Sequence, residues 1–449
     1  MKSYPLVDVL DSRILKRDRR LFLKAGLSMA ACASSSTFGQ DVEQAAGSQL
    51  EDESNSAPKL RVGVMGLNGR GGALTRLLTS SPRAQVTHLC DVDSRVLESA
   101  GRTVASLQGE AARSFADIRE MLHEDFDALF VAAPNHWHAP AAIMACRAGK
   151  HVYVEKPCSH NPAEGVWAVE AARKFDRVVQ TGTQRRSWPV LQEAITKLHS
   201  GEIGDILYAR CWYNNRRPSI GKESPSAAPS RLDWDLWQGP AARVAFQENF
   251  APYNWHWFWR WGNGELGNNG VHGIDLARWG MQLQYPERVI ASGGKYRHED
   301  DQETPDTLSV AYEYASKQSI TWQGLSWSPI GEHDVSFGVS FHGTEGTMVM
   351  RSAGYTIFDM KRNETLAKDG RPNDSLHLEN FFDCIASGER PAADIQIGHD
   401  SALLCHYGNI AYQEQKALEI DTSTGRILTP IPEVRWEREY APGWHPELD

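Results

Sequence analysis

Strand, glycine-rich turn, helix: residues 60–78 read in that order, and this order constrains the fold more than any other feature of the chain. Residues 60–65 form a short apolar run, Gly66-Leu67-Asn68-Gly69-Arg70-Gly71 follows, and residues 71–78 carry helical spacing. Such a turn needs glycine where the backbone bends sharply and where strand and helix approach, and it leaves amides at the helix start free to face an anion. Gly66 and Gly71 fill the outer positions of a G-x-G-x-x-G loop. Asn68 takes the middle position, Gly69 beside it keeps the turn open, and asparagine tolerates left-handed backbone better than most residues. The second strand ends at Asp91, twenty-five residues after Gly66. A carboxylate there accepts both ribose hydroxyls of NAD and repels the extra phosphate of NADP. NAD is therefore the expected cofactor, and Arg70, by meeting a phosphate, leaves NADP open.

The alternation continues. Residues 86–90, 128–132, 151–154 and 178–180 read as strands, with helices at 96–107, 140–147 and 163–174. That spacing predicts βαβ units and a parallel sheet. After residue 185 longer strands follow at 206–213, 288–292, 307–314, 319–325, 336–342 and 347–350. In the third of these Leu308, Val310, Tyr312 and Tyr314 share one face, which suits a sheet covered on one side. Helices are expected at 189–199, 271–279, 376–386 and 401–416. The predicted fold is an α/β Rossmann domain (59–182) followed by an α+β domain (183–449) with a large, mostly antiparallel open sheet.

The first forty residues stand apart. Arg19 and Arg20 precede Leu21-Phe22-Leu23-Lys24, a small-apolar run and an Ala31-Cys32-Ala33 exit, the order of an export signal. The pair resembles a twin-arginine signal, with Asp18 in place of the usual Ser or Thr. It predicts the twin-arginine translocase as a partner during export and a periplasmic destination. Cys32 also lies in a weak lipid-attachment sequence, so a lipid anchor is the alternative. Residues 41–58 are polar and acidic and read as a flexible tether. No later apolar stretch is long enough to span a bilayer, and a net charge of -10 argues against nucleic acid as a partner. None of the seven cysteines forms a CxxC pair. Because the twin-arginine route moves folded proteins, the six beyond the signal are expected to be buried free thiols.

Three strings fall where a Rossmann sheet carries its chemistry, at strand ends: "VAAPNHWHAP" (131–140), "VYVEKPCSH" (152–160) and "VQTGTQRRS" (179–187). With "CDVD", "GELGNNGVHGID" (264–275), "FHGTEGTM" and "NFFDCIASGERP", they occur in the order found in the Gfo/Idh/MocA oxidoreductases, which the chain resembles over roughly residues 59–410. The resemblance implies that Lys156, in Glu155-Lys156-Pro157, is the acid/base lysine beside the nicotinamide, with Glu155 next to it. A positive nicotinamide and partial burial would both lower the pKa of that lysine. Pro157 is implied to follow a cis peptide bond. Pro134, Asn135, His136, Trp137 and His138 are implied to line the nicotinamide side of the cleft, and Arg185 and Arg186 to contact substrate or cofactor.

Sugar and cyclitol dehydrogenases of this family carry Asp-x-x-x-His at the second site string. This chain has Asn268-x-x-x-His272, with Asp275 one turn further on. His272 can relay a proton or hold a hydroxyl, whereas Asn268 can orient a hydroxyl but cannot take its proton. Asp275 is expected to orient His272 or cap the site. No metal is expected, since the family is metal-independent and the His136-x-His138 pair has no matched acids. In "YNWHWFWRWG" (253–262), strict alternation would place Trp255, Trp257, Trp259 and Trp261 on one side and His256, Phe258 and Arg260 on the other. That stripe suits core or interface packing first and a sugar platform second. The first functional reading is an NAD-dependent oxidoreductase acting on a sugar or polyol, and the resemblance implies that residues 183–449 serve substrate and oligomerisation, as a homodimer or homotetramer. The second is redox-neutral, NAD-dependent cleavage of a glycoside, which the missing aspartate favours. The third is a sugar-binding relative without activity. Export bears on the choice, because no NAD pool exists outside the cytoplasm and the cofactor would have to travel bound.

Overall fold

The computed structural model describes residues 58–448. The expected export signal, Cys32 and nearly all of the expected tether lie outside the described residues. Six strands, β1 (Leu60–Met65), β2 (Ala84–Cys90), β3 (Arg113–Phe115), β4 (Ala128–Val131), β5 (His151–Val154) and β6 (Val179–Thr181), pair in parallel in the order 3-2-1-4-5-6. Helices α1 (Arg70–Thr79), α2 (Ser94–Gln108), α3 (Ile118–Met121), α4 (Asn135–Arg147) and α5 (Pro162–Lys174) provide the crossovers. All four residues of β4 are buried, as a central parallel strand covered on both faces requires. The strand order reverses between β1 and β4, and the carboxyl ends of these two strands open the crevice where such folds bind ligands.

The chain then runs through α6 (Pro189–His199), β7 (Ile206–Asn214), α7 (Trp234–Gln238) and α8 (Val271–Met281) into a second sheet. Its further strands are β8 (Arg288–Gly294), β9 (Thr307–Glu313), β10 (Ser319–Leu325), β11 (Phe337–Gly343), β12 (Gly346–Arg351), β13 (Gly354–Asp359), β14 (Glu364–Asp369) and β15 (Leu418–Glu419). Their order is 14-13-12-11-7-10-9-8-15, and only β7 and β10 run parallel to each other. Leu308, Val310, Tyr312 and Tyr314 are all buried, on the face predicted from their alternation. They pack against Ile274 and Ala277 of α8 and against Leu403, Leu404 and Tyr407 of α10 (Ile395–Glu414), which follows α9 (Ser375–Ser387). A short α11 (Glu433–Trp436) lies near the chain end.

Helix α10 is buried nearly all round, between this sheet and α5 of the first domain. Its start was expected at residue 401, but Asp394 caps it by accepting from the Gln396 amide at 3.0 Å. Helix α4 begins at Asn135, so the Asn-His-Trp-His string is a first helical turn and not a loop. The expected tryptophan stripe is absent because residues Asn254–Trp257 form a 3-10 turn. Trp255, Trp257 and Trp261 are buried, but so is Phe258, while Trp259 stays half-exposed. Cys90, Cys146, Cys158, Cys211, Cys384 and Cys405 are free and buried.

Four interior imidazoles make stability depend on pH. Burial pushes His136 and His160 far below their ordinary value, His399 down to about 4 and His406 down to about 3. In the unfolded chain they titrate near about 6.5. Between those values the unfolded state binds more protons, so stability falls as pH drops below about 6.5, by about 1.4 kcal/mol per pH unit for each group. The thermal midpoint is therefore expected to decline steeply between about pH 6.5 and about pH 5. A flat midpoint over that interval would contradict neutral, buried rings.

Candidate active site

A cavity of about 710 Å³ runs along the carboxyl ends of β2, β1, β4 and β5. Gly66, Asn68, Gly69 and Arg70 line it from the loop, and Asp91 lines it from the end of β2. The glycines are there for space. A Cβ on Gly66 (φ +80°) would sit 2.5 Å from the Ala133 nitrogen, and one on Gly71 would sit 1.6 Å from the Gly66 oxygen. Gly71 thus shapes the turn without lining the cavity. A Cβ on Gly69 (φ +51°) would meet nothing within 4 Å. This open pocket precedes an α1 terminus that has no side-chain cap, and it fits a pyrophosphate.

Asp91 accepts from the amides of Leu67 at 2.7 Å and Asp93 at 2.9 Å. Burial raises its pKa against these bonds, and the remaining lone pairs suit ribose hydroxyls. Arg70 turns towards the other end of the cavity. Its Nε donates to Glu155 at 2.7 Å and its Nη1 to Asp374 at 2.7 Å. Two strands separate Glu155 from the end of β2, so Arg70 is turned away from the Asp91 carboxylate.

Lys156 stands at the reaction end of the cavity. Its Nζ donates to Asn268 twice, to the backbone oxygen at 2.8 Å and to Oδ1 at 3.1 Å. Asn268 belongs to a single π-helical turn, Leu266–Gly270, that leads into α8, and such turns recur at functional sites. Burial lowers the pKa of Lys156 against the pull of Glu155 and Glu265. Glu155 is itself buried, yet Arg70 and Lys156 hold its carboxyl below the usual range. The Lys156–Pro157 bond is cis.

His272 also lines the cavity. Burial and then Lys156 keep it neutral, and its buried Nδ1 has no partner among the described residues. Asp275 does not orient it. That carboxylate accepts from Arg186 Nε at 2.8 Å, from Arg186 Nη2 at 2.9 Å and from Ser401 Oγ at 2.8 Å. Arg186 and Asp275 therefore form a buried ion pair and do not line the cavity. Nor does Arg185, which donates to the Ser352 oxygen at 2.5 Å and lies over the Phe337 ring at 4.0 Å. Pro134, Asn135, Trp137, His138 and Glu155 do line it. The His138 ring nitrogens face the carbonyls of Pro157 and Ala133, and His136 lies outside the lining.

Two further parts of the lining were not anticipated. The first is a strap, residues 229–237, that reaches from the second domain over the Asp91 end. The Ser94 amide donates to the Arg231 oxygen at 2.9 Å, and the Asp233 amide donates to the Val92 oxygen at 3.0 Å. Arg231 Nε also lies 3.3 Å from Asp93 Oδ2. At the end of the strap, the Trp237 carbonyl accepts from Trp137 Nε1 at 3.0 Å. The second is the turn carrying Tyr253, Trp255 and His256, which faces the same cavity as Lys156. Asp233 caps the short helix that ends the strap by accepting from the Leu236 amide at 2.9 Å, but nothing local shows where that helix docks.

If Asp91 holds the ribose, Asp91→Ala is expected to weaken NAD binding by about 10- to 100-fold, the worth of charge-assisted hydrogen bonds. Calorimetric titration measures it, and an affinity within about twofold of the parent would rule the role out.

Comparison with known proteins adds two family matches. Residues 60–183 match the "Oxidoreductase family, NAD-binding Rossmann fold", and residues 240–349 match the "GFO/IDH/MocA C-terminal domain". Together they span just over half of the chain. Among curated proteins, a "Glycosyl hydrolase family 109 protein" of Saccharopolyspora erythraea is 28% identical over 218 residues, 47% of either chain. "Inositol 2-dehydrogenase 1" of the same organism is 33% identical over 161 residues, 35% of this chain and 47% of that one. The chain thus spans about half the length of these relatives. The solved structure of a levoglucosan dehydrogenase in complex with NADH and levoglucosan shares the fold, with a TM-score of 0.65 and 19% identity over 81% of this chain and 99% of that one. The loop, the strand-end carboxylate and both matched domains agree: the chain belongs to the Gfo/Idh/MocA oxidoreductase family and takes NAD as its cofactor.

Proposed function

We propose that the protein oxidises or reduces a hydroxyl-bearing carbon of a sugar or polyol, with NAD kept tightly bound. The observation that carries this reading is Lys156, a buried amine of lowered pKa that shares one cavity with Asn268, His272 and the glycine loop. When bound, NAD supplies the hydride acceptor. Lys156 in its neutral form takes the hydroxyl proton as the carbinol becomes a carbonyl, and returns it in the reverse direction. The Asn268 side chain and the neutral His272 hold hydroxyls in place. The relatives named for inositol and levoglucosan support a polyhydroxylated substrate.

The strap supports tight binding, since its backbone bonds to Val92 and Ser94 hold residues 229–237 against the Asp91 end of the cavity. The same strap favours, as a second reading, redox-neutral glycoside cleavage, in which each hydride is returned before release. Export through the twin-arginine route, and assembly as a dimer or tetramer, belong to the proposal and suit a cofactor loaded before transport.

The test is turnover of a panel of inositols and methyl hexopyranosides, read as NADH formed and as aglycone released. Enzyme-bound NADH formed up to one per NAD held, and turned over further only when a carbonyl acceptor is added, supports the first reading; aglycone released over many turnovers without net NADH supports the second. Lys156→Ala is expected to lower kcat by about 10²- to 10⁴-fold. In the oxidation direction the parent rate should rise with pH through the Lys156 pKa, because only the neutral amine accepts a proton, and the variant should lose that limb. Activity intact in Lys156→Ala would overturn both readings. For the strap, purified protein should retain NAD through gel filtration. Arg231→Ala, which loses one half-exposed ion pair, should release it up to about fivefold faster. Full loss of NAD from the parent on dilution would show that the strap retains nothing.

A further inference from the structure

An alcohol substrate brings hydroxyl protons that need acceptors, and the carboxylates around the reaction end are already committed. Asp275 is held by Arg186 and Ser401. Glu155 accepts from Arg70 at 2.7 Å and from Gln184 at 3.1 Å. Glu265 accepts from Arg217 at 2.6 Å and also takes the Asn269 amide. The Asn268 Oδ1 is taken by Lys156. His272 Nδ1 has no partner among the described residues to fix the ring's proton.

His256 differs from all of these. Its Nδ1 lies 2.6 Å from the Tyr253 carbonyl oxygen. A carbonyl can only accept, so the hydrogen sits on Nδ1 and leaves Nε2 with a bare lone pair. Nε2 has no protein partner among the described residues, and the residue lines the cavity with Lys156, Asn268 and His272. Its ring is held between Trp255, face to face at 3.6 Å and 20°, and Tyr253 at 4.6 Å. Burial, with the cations of Lys156 and Arg217 nearby, pushes its pKa down to about 3, so the lone pair survives throughout the neutral range.

We propose that His256 Nε2 accepts a hydrogen bond from a substrate hydroxyl next to the reacting carbon, the accepting role that Asn268 and Asp275 leave unfilled. The proposal rests on the sugar or polyol reading and makes His256 a specificity residue. Substrates with a free hydroxyl at that position are preferred over their deoxy or O-methyl analogues.

Two measurements on the NAD-loaded protein test it. Nitrogen NMR of ring-labelled histidine, with the His256 signals assigned by their loss in His256→Phe, should show the Nδ1–H form without titration from about pH 5 to about pH 8. The Nε2–H form, or protonation near neutrality, overturns the proposal whatever the turnover. On the member of the inositol and methyl hexopyranoside panel that is turned over fastest, His256→Phe should lower kcat/KM by about 10- to 100-fold, mainly through KM. His256→Gln, which keeps an acceptor, should recover part of the loss, and NAD affinity should stay within about twofold. Unchanged kcat/KM in His256→Phe, or a parallel fall in NAD affinity, overturns the proposal and leaves the enzymatic reading standing. No turnover of any panel member by the parent would instead defeat the enzymatic reading, while the tautomer still decides the state of His256.

Discussion

The site depends on a line of alternating charges: Asp374, Arg70, Glu155 and Lys156. Arg70 bridges the two carboxylates at 2.7 Å each, and Glu155 is only 4% exposed. A carboxylate so buried is costly unless a cation offsets it, and removing one partner of such a pair costs about 3–5 kcal/mol. The link has a geometric effect as well. It ties the glycine loop after β1 to the end of β5, and both to the segment leading into α9. The same charges then act on Lys156. Burial opposes its ammonium form and Arg70 adds to that, outweighing the pull of Glu155, which leaves a lysine able to give and take a proton.

A second buried pair decides where the other half of the site stands. Arg186, just after β6, grips Asp275 in α8, and Ser401 of α10 completes the contact. Three segments remote in sequence are thereby locked at the base of α8. The π-helical turn that presents Asn268 and the first turn that carries His272 sit directly upstream of that lock. Lys156 reaches across to this turn with two hydrogen bonds. The reaction centre is therefore formed by one domain bonding to the other, and neither contributes it alone.

This explains which parts were legible in the sequence. Periodic segments were, because burial on one face writes itself into local spacing: the inward residues of β9 and the four apolar residues of β4 are examples. The β13–β14 hairpin escaped because the outer strand, Glu364–Asp369, is exposed along almost its whole length and carries no alternation. Gly66, Gly69, Asp91, Lys156 and His272 were legible as residues lining the cavity, because a strand or helix end at the crevice is a position the local pattern reveals. Arg186 was assigned to substrate or cofactor and Asp275 to His272 or a cap, because charged residues near a site look alike whether they face a ligand or each other; their separation of 89 residues hides the pairing. His256 was placed facing away from its tryptophans by assuming a strand, and a 3-10 turn rotates it into the cavity.

The strap joins the cofactor half of the cavity to the chemistry. In a bare Rossmann domain the crevice opens to solvent, and the nucleotide exchanges at a rate set by its own contacts. Here the Asp91 end is roofed by backbone hydrogen bonds that the second domain makes to residues 92 and 94. Those bonds are local and cooperative: Asp93 caps α2 through the Arg95 amide at 3.0 Å while also facing Arg231. Opening the strap therefore also disturbs the helix start beside Asp91. On the reading proposed above, an enzyme built this way gains by returning its hydride in place, to a second substrate or within one cycle. A neutral acceptor such as His256 suits that demand, because it binds the hydroxylated form without taking up a proton that the return step would have to remove.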